Sequence, residues 1–161
     1  HENPQPNDFI FYENGNLAAL LEVKELQLSN ETIDAKINKY RNYPEEKISK
    51  LYVDSEKIAW VLSNLLSNAI RYSSENGRVI IGARQPNKYQ VEMFVQDFGR
   101  GIDPRYHESI FERYFRVPGT KVQGSGLGLS ISRDFVEAHS GTLTVESELG
   151  KGSRFVVTLS V

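Results

Sequence analysis

Asn64, Asn68, Arg71 and Tyr72 recur at the three-and-four spacing that puts side chains on one face of a helix. Amide oxygens can bind a hard cation, and a guanidinium can bind phosphate oxygens. The stripe therefore reads as one wall of a site for a metal-bound polyphosphate. Ile58, Val61, Leu62, Leu65, Leu66, Ala69 and Ile70 form a second, apolar face, so the helix has one side to bury and another to use. A solvated face is the alternative. Such faces are usually filled with Lys and Glu, whereas each mid-helix Asn costs roughly a few tenths of a kcal/mol relative to Ala.

Two glycine-rich segments carry compatible chemistry. Asp97-Phe-Gly-Arg-Gly-Ile-Asp follows an apolar run that reads as a buried strand. Gly99 and Gly101 let the backbone bend sharply and approach a ligand closely, and the Asp97 carboxylate can accept a hydrogen bond from an exocyclic amine such as that of adenine. A plain turn would use the same residues. Gly124-Ser-Gly-Leu-Gly-Leu-Ser-Ile opens a helix, where free N–H groups and the helix dipole favour phosphate. It is not a P-loop, because no Gly-Lys-Ser/Thr follows. A flexible hinge is its alternative reading. Arg113 and Arg116 lie within the aromatic-rich stretch Phe111-Glu-Arg-Tyr-Phe-Arg, where they could reach phosphate or serve as surface charges. His107 and His139 each stand without a second ligand-type residue at useful spacing, and Trp60 reads as boundary packing.

These segments need elements to hold them. Residues 1–16 read as a loop, 17–28 as a weak helix-then-strand pattern, 31–39 as a strand and 42–46 as a turn around Pro44. Leu51 to Val53 reads as a short strand. Asp54 or Ser55 can cap a helix running to Tyr72, with a turn over 73–77. Strands are expected over 78–84 and 89–96, joined by a hairpin at Gln85-Pro86-Asn87-Lys88. A short helix should start at Pro104 and run to Phe111. A loop over 116–126 leads to a helix from Leu127 to His139, stopped by Gly141. Thr142 to Glu146 and the strictly alternating Phe155, Val157, Leu159 and Val161 close the chain as two strands. The order implies α+β architecture: a mixed, mostly antiparallel sheet with helices on one face.

The 161 residues suit one domain with a short appendage, and 39% hydrophobic with 25% charged content is ordinary globular material. A net charge of -2 gives no case for nucleic acid, and the absence of cysteine excludes disulfides and thiol metal sites. No apolar run approaches the roughly 20 residues that span a bilayer. The polar, Pro/Asn-rich start is not a signal peptide. A chain beginning at His reads as a fragment whose parent could be membrane-anchored.

Taken in order, five segments resemble the GHKL ATPase/kinase superfamily, and in particular the catalytic domain of sensor histidine kinases. Asn64-Leu-Leu-Ser-Asn-Ala-Ile-Arg-Tyr-Ser resembles the N box, Asp97-Phe-Gly-Arg-Gly-Ile the first glycine box, and Phe111-Glu-Arg-Tyr-Phe-Arg-Val the F box of histidine kinases. Gly124 to Ile131 resembles the second glycine box. Gly150-Lys-Gly-Ser-Arg-Phe is similar to the final Gly-x-Gly-Thr segment, with Ser153 in place of Thr. The match covers about residues 51 to 161.

The resemblance implies a Bergerat-type α/β sandwich that binds ATP and Mg²⁺. It implies that Asn68 ligates the metal, with Asn64 close to the metal and the transferring phosphate. Arg71 would neutralise phosphate charge and Tyr72 would close the pocket. Asp97 would read the adenine amine beside Gly99, Gly101 and Ile102. Arg116 would reach the γ-phosphate from a lid. Gly124, Ser125, Gly126, Leu127, Gly128 and Leu129 would contact the phosphates, and Ser153 would support Asp97 through a water. Asn64 and Arg116 are the expected catalytic residues.

ATP-hydrolysing relatives carry Glu where this chain has Asn64, so transfer to an imidazole is expected rather than hydrolysis. The acceptor histidine should lie on a separate dimerisation domain of the same protein, with a response regulator downstream. His1-Glu2-Asn3-Pro4 lacks the helical context of an acceptor, the lid over 117–123 is short, and the segment before Leu51 is short for the family's first helix. The implied organisation is a linker or helical-domain remnant over 1–30 and a catalytic domain over 31–161. That fragment would be monomeric and cytoplasmic, from a homodimeric parent that could be anchored in the inner membrane. A nucleotide-binding module without phosphotransfer, and a serine kinase of the anti-sigma type, are the alternatives.

Overall fold

The computed structural model describes residues 8–13, 16–22, 51–74 and 77–161; for the first two segments it describes the backbone. Six strands, β1 (Asp8–Glu13), β2 (Asn16–Glu22), β3 (Val79–Asn87), β4 (Gln90–Asp97), β5 (Thr142–Glu148) and β6 (Gly152–Ser160), form one sheet in the order β2-β1-β3-β4-β6-β5. β1 pairs with β3 in parallel; every other pairing is antiparallel. Two helices, α1 (Ser55–Tyr72) and α2 (Gly128–Ala138), pack on one face.

The packing follows from two periodicities meeting. Ile58, Val61, Leu65 and Ala69 of α1 and Val136 of α2 are buried against Val79, Val95, Leu143, Phe155, Val157 and Leu159, which share one face of the sheet. This is the α+β sandwich expected, with the polar stripe of α1 left at the edge of the core. Asp54 caps α1, accepting a hydrogen bond from the Lys57 N–H through Oδ1 at 3.1 Å.

Several elements differ from expectation. Residues 8–13 and 16–22, read as loop and as weak helix, are strands; their sheet partners, not their local pattern, make them so. Leu51 to Val53 form no strand, although Leu51 and Val53 still pack against the core. β3 runs on to Asn87, and the register slips between Arg84 and Asn87 around Pro86, which has no N–H for the ladder. The turn falls at Lys88-Tyr89, where Asn87 Oδ1 accepts the Tyr89 N–H at 2.9 Å. The segment from Pro104 to Phe111 is two 3-10 turns, Pro104–Tyr106 and Ser109–Phe111. On β6, Val156 is buried on the opposite face, which breaks the strict alternation, and Val161 lies beyond the strand. The strand and turn expected over 31–39 and 42–46 lie outside the described residues.

The end of α2 is the clearest reassignment. Ser140, not Gly141, takes the left-handed conformation, at φ 55°. The N–H groups of Ser140 and Gly141 return to the carbonyls of Glu137 and Val136 at 2.9 and 3.0 Å, the Schellman pattern. Gly141 is needed for a different reason: a Cβ there would meet the Thr158 carbonyl at 2.5 Å. The glycine lets the chain leave α2 flush against β6.

Candidate functional site

A cavity of about 730 Å³ lies between α1, α2 and the ends of β4 and β6, within the usual range for small-molecule sites. α1 contributes Trp60, Asn64, Asn68, Arg71 and Tyr72. The bend after β4 contributes Asp97, Arg100, Gly101 and Ile102. The loop before α2 contributes Arg116, Val117 and the run Gln123 to Leu129, and β6 contributes Ser153 and Phe155. Fifteen of the sixteen residues singled out from sequence therefore line one cavity. Gly99 does not: its N–H donates to Asp97 Oδ1 at 2.9 Å, and a side chain there would strike the Tyr72 carbonyl. It holds the carboxylate and lets the bend pack on the end of α1.

The charge distribution is lopsided. Arg71, Arg100 and Arg116 line the cavity, and Asp97 is the one carboxylate among the described lining residues. None of the three guanidiniums makes an ion pair among the described residues. Arg71 Nη1 donates to the Gln123 carbonyl at 3.1 Å, Arg116 Nη2 to the Val122 carbonyl, and Arg100 stacks 5.3 Å over the Tyr72 ring. Arg113, by contrast, pairs with Asp134 at 3.0 Å on the surface and does not line the cavity. α2 adds its N-terminus. No side chain caps it, and the first-turn N–H groups have no intrahelical partner. Three unpaired cations and a free helix N-terminus suit a polyanion.

The opposite end is built for something else. Asp97 is only 4% exposed. Burial pushes its carboxyl up from the ordinary value, while the backbone N–H groups of Gly99 and Ser153 act against that by favouring the ionised form. Ile102 and Phe155 supply apolar wall. A half-buried, flat, amine-bearing group fits this end.

The amides differ in a way their sequence spacing hides. Asn64 Nδ2 donates to the Oγ of fully buried Ser132 at 3.0 Å, and a Cβ at position 128 would collide with the Asn64 amide. Asn64 is thus clamped between α1 and α2, and Gly128 makes room for it. Asn68 is half-buried, lines the cavity, and its amide makes no hydrogen bond among the described residues. A single free amide oxygen beside three phosphate-type donors fits Mg²⁺, which commonly takes one or two protein oxygens and completes its shell with substrate phosphates and waters.

The lid is tied to the aromatic segment through Gly126. At φ 71° this glycine accepts the Tyr114 N–H at 2.9 Å, and a Cβ would meet the Tyr114 backbone at 2.7 Å. Tyr114 is itself left-handed, at φ 66°.

The profile of the histidine kinase-, DNA gyrase B- and HSP90-like ATPase family matches residues 53–161. The chain belongs to this family. Among curated proteins it is 32% identical over 146 residues to the sensor protein SrrB of Staphylococcus aureus, covering 89% of this chain and 24% of that protein. The chain thus spans about a quarter of the length of such relatives. Among solved structures, a mycobacterial sensor histidine kinase, MprB, is 32% identical with a TM-score of 0.61 over 66% of this chain and 72% of that one. The catalytic domain of histidine kinase ThkA is 25% identical with a TM-score of 0.63, over 95% and 79%. Both of these neighbours of the ATPase-family chain are histidine kinases, the group that the five segments resemble.

Sequence reasoning passed over four residues that line or support this cavity: Arg100, Gln123, Ser132 and Ser147. Arg100 sits between two glycines already singled out, so a basic residue there was an available signal. The others act through partners far away in sequence, and nothing in their local pattern marks them. Trp60, read as boundary packing, does pack edge-on against Phe135 at 5.4 Å, and it also lines the cavity. Neither remaining histidine is placed for catalysis: His107 Nε2 contacts the Ile102 carbonyl, and His139 bridges the Phe135 carbonyl and the Asp54 N–H.

Proposed function

We propose that this domain binds Mg-ATP in the cavity and transfers the γ-phosphoryl group to a histidine on a separate dimerisation domain of its parent. The observation that carries the reading is the pairing of one buried carboxylate with three unpaired guanidiniums and the free N-terminus of α2 in a single cavity. Asp97 accepts from the base amine beside Ile102. Gly124 to Leu129 present backbone N–H groups to the phosphates, and Arg71 and Arg116 exchange backbone carbonyls for phosphate oxygens. Asn68 would hold Mg²⁺, whose contribution is neutralisation of charge on the β- and γ-oxygens.

In the transfer step, an imidazole nitrogen lone pair forms the new N–P bond. The bond to the β–γ bridging oxygen breaks, and that oxygen leaves with its electron pair on ADP. Arg116 stabilises charge on the moving group and Asn64 fixes the reacting end of the wall. No carboxylate or imidazole among the described residues lines that end, so nothing there takes a proton from water. Hydrolysis is disfavoured on that ground, and an imidazole needs no such base.

On this reading the parent is a homodimeric sensor kinase that passes phosphate to a response regulator, and the isolated fragment is monomeric. Among the described residues no helix is long and apolar enough to cross a membrane. The test is incubation with labelled ATP. The chain alone should remain unlabelled, whereas the parent's histidine-bearing domain, added in trans, should gain label stable to base and labile to acid. Acid-labile, base-stable label on the 161-residue chain itself refutes the separate-acceptor assignment. Binding without transfer identifies a nucleotide-binding module instead.

A further inference from the structure

One hydroxyl outside the cavity holds three groups of the base-binding end together. Ser147, on β5, accepts the Ile102 N–H at 2.8 Å, contacts the Gly152 carbonyl at 2.9 Å, and contacts Ser153 Oγ at 2.9 Å. A serine hydroxyl has one proton and two lone pairs. The Gly152 carbonyl can only accept, so the Ser147 proton goes there. The Ile102 N–H can only donate, so it takes one lone pair. One lone pair remains, and Ser153 must donate to it. All three contacts are satisfied in one arrangement only.

That count has a consequence inside the cavity. Ser153 is buried and lines it beside Asp97. With its proton committed to Ser147, its oxygen offers only lone pairs to a ligand. Asp97, when ionised, is also acceptor-only. Two acceptors side by side suit an exocyclic amine and oppose a carbonyl at the same ring position, because the carbonyl would lack a donor and face two lone-pair-bearing groups.

We propose that Ser147 is a positioning residue for base choice: it orients the Ser153 hydroxyl so that the site accepts an amine and rejects a carbonyl. The inference rests on the nucleotide reading above. It differs from a purely structural role for Ser147, which would weaken adenine and hypoxanthine nucleotides alike.

Equilibrium binding of Mg-ATP and Mg-ITP separates the two, since ITP carries a carbonyl where ATP carries the amine. In Ser147→Ala the Ser153 proton is free to turn toward the cavity, and the ATP-to-ITP affinity ratio should narrow by about three- to tenfold, the range expected for one neutral hydrogen bond. Ser153→Ala should narrow it too, and adding Ser147→Ala to Ser153→Ala should change the ratio no further. If Ser147→Ala fails to fold, the near-isosteric Ser147→Cys, a poor hydrogen-bonding group, should narrow the ratio in its place. An unchanged ratio in a folded Ser147 variant, or narrowing that persists on the Ser153→Ala background, overturns the inference and leaves the nucleotide reading standing. Failure of the unaltered chain to bind either nucleotide overturns both.

Discussion

The Asn64 amide nitrogen donates to the Ser132 hydroxyl at 3.0 Å across the α1–α2 contact, 68 residues away in sequence. The bond joins the polar cavity wall on α1 to the helix whose N-terminus opens into the same cavity. Its loss should be felt in chemistry more than in binding. Ser132→Ala removes the partner without adding bulk, so we expect phosphotransfer to a histidine domain in trans to fall about three- to tenfold, with Mg-ATP affinity within about twofold of the unaltered chain. Single-turnover transfer beside equilibrium binding checks this; equal losses in both would assign the bond to binding instead.

Asn68 makes no hydrogen bond among the described residues, so its amide is free to serve a metal. Asn68→Ala should cost little stability, about 0.5 kcal/mol or less, and should abolish the Mg²⁺-dependent part of ATP binding. Titrations with and without Mg²⁺, paired with thermal melts, decide it. Near-unaltered Mg-ATP affinity in a folded variant would remove Asn68 from the metal site.

Burial raises the Asp97 carboxyl above its ordinary value. The folded nucleotide-free protein then holds that proton more tightly than the unfolded chain does. The contribution of this group to stability is greatest at low pH, declines as pH rises from the ordinary carboxylate value through the raised one, and is level above it. Asp97→Asn should abolish that decline, so the variant gains stability relative to the unaltered chain across the acid window. Denaturant unfolding at a series of pH values measures it. Mg-ATP binding should follow the opposite course in the unaltered chain, strengthening as Asp97 ionises and becomes an acceptor for the amine.

Gly126 and Gly119 have similar backbones, at φ 71° and 76°, in different surroundings. A Cβ at 126 would meet the Tyr114 backbone, whereas one at 119 meets nothing within 4 Å. Gly119→Ala should therefore cost about 1–2 kcal/mol of conformational strain at most and leave ATP affinity intact. Gly126→Ala should cost more and weaken ATP binding at least tenfold, because the wall between the aromatic segment and α2 must shift. Melting temperatures and ATP titrations on the pair compare close packing with backbone strain alone.

The polar stripe of α1, the two glycine segments and the apolar alternation of β3 to β6 were legible because each is a local pattern with a physical period or a required residue type. Strands β1 and β2 were not, since their hydrogen-bond partners are each other and β3, and an edge ribbon carries little local signature. Ser140 and Gly141 show the limit within a single turn. A helix stop near position 140 was readable from the glycine. That serine takes the left-handed conformation while the glycine serves a close approach to Thr158 depends on where β6 lies.

By itself, then, the sequence determined which residue types could hold a metal-bound nucleotide and roughly which elements carry them. Residue type and helical or strand period are properties of neighbouring positions. Tertiary structure decided which of two similar amides is clamped and which is free, brought Arg100 into the cavity, and placed the Ser147 hydroxyl against Ile102, Gly152 and Ser153. Those outcomes depend on hydrogen bonds and close contacts between segments distant in the chain, and such partners exist only once the sheet and helices have packed.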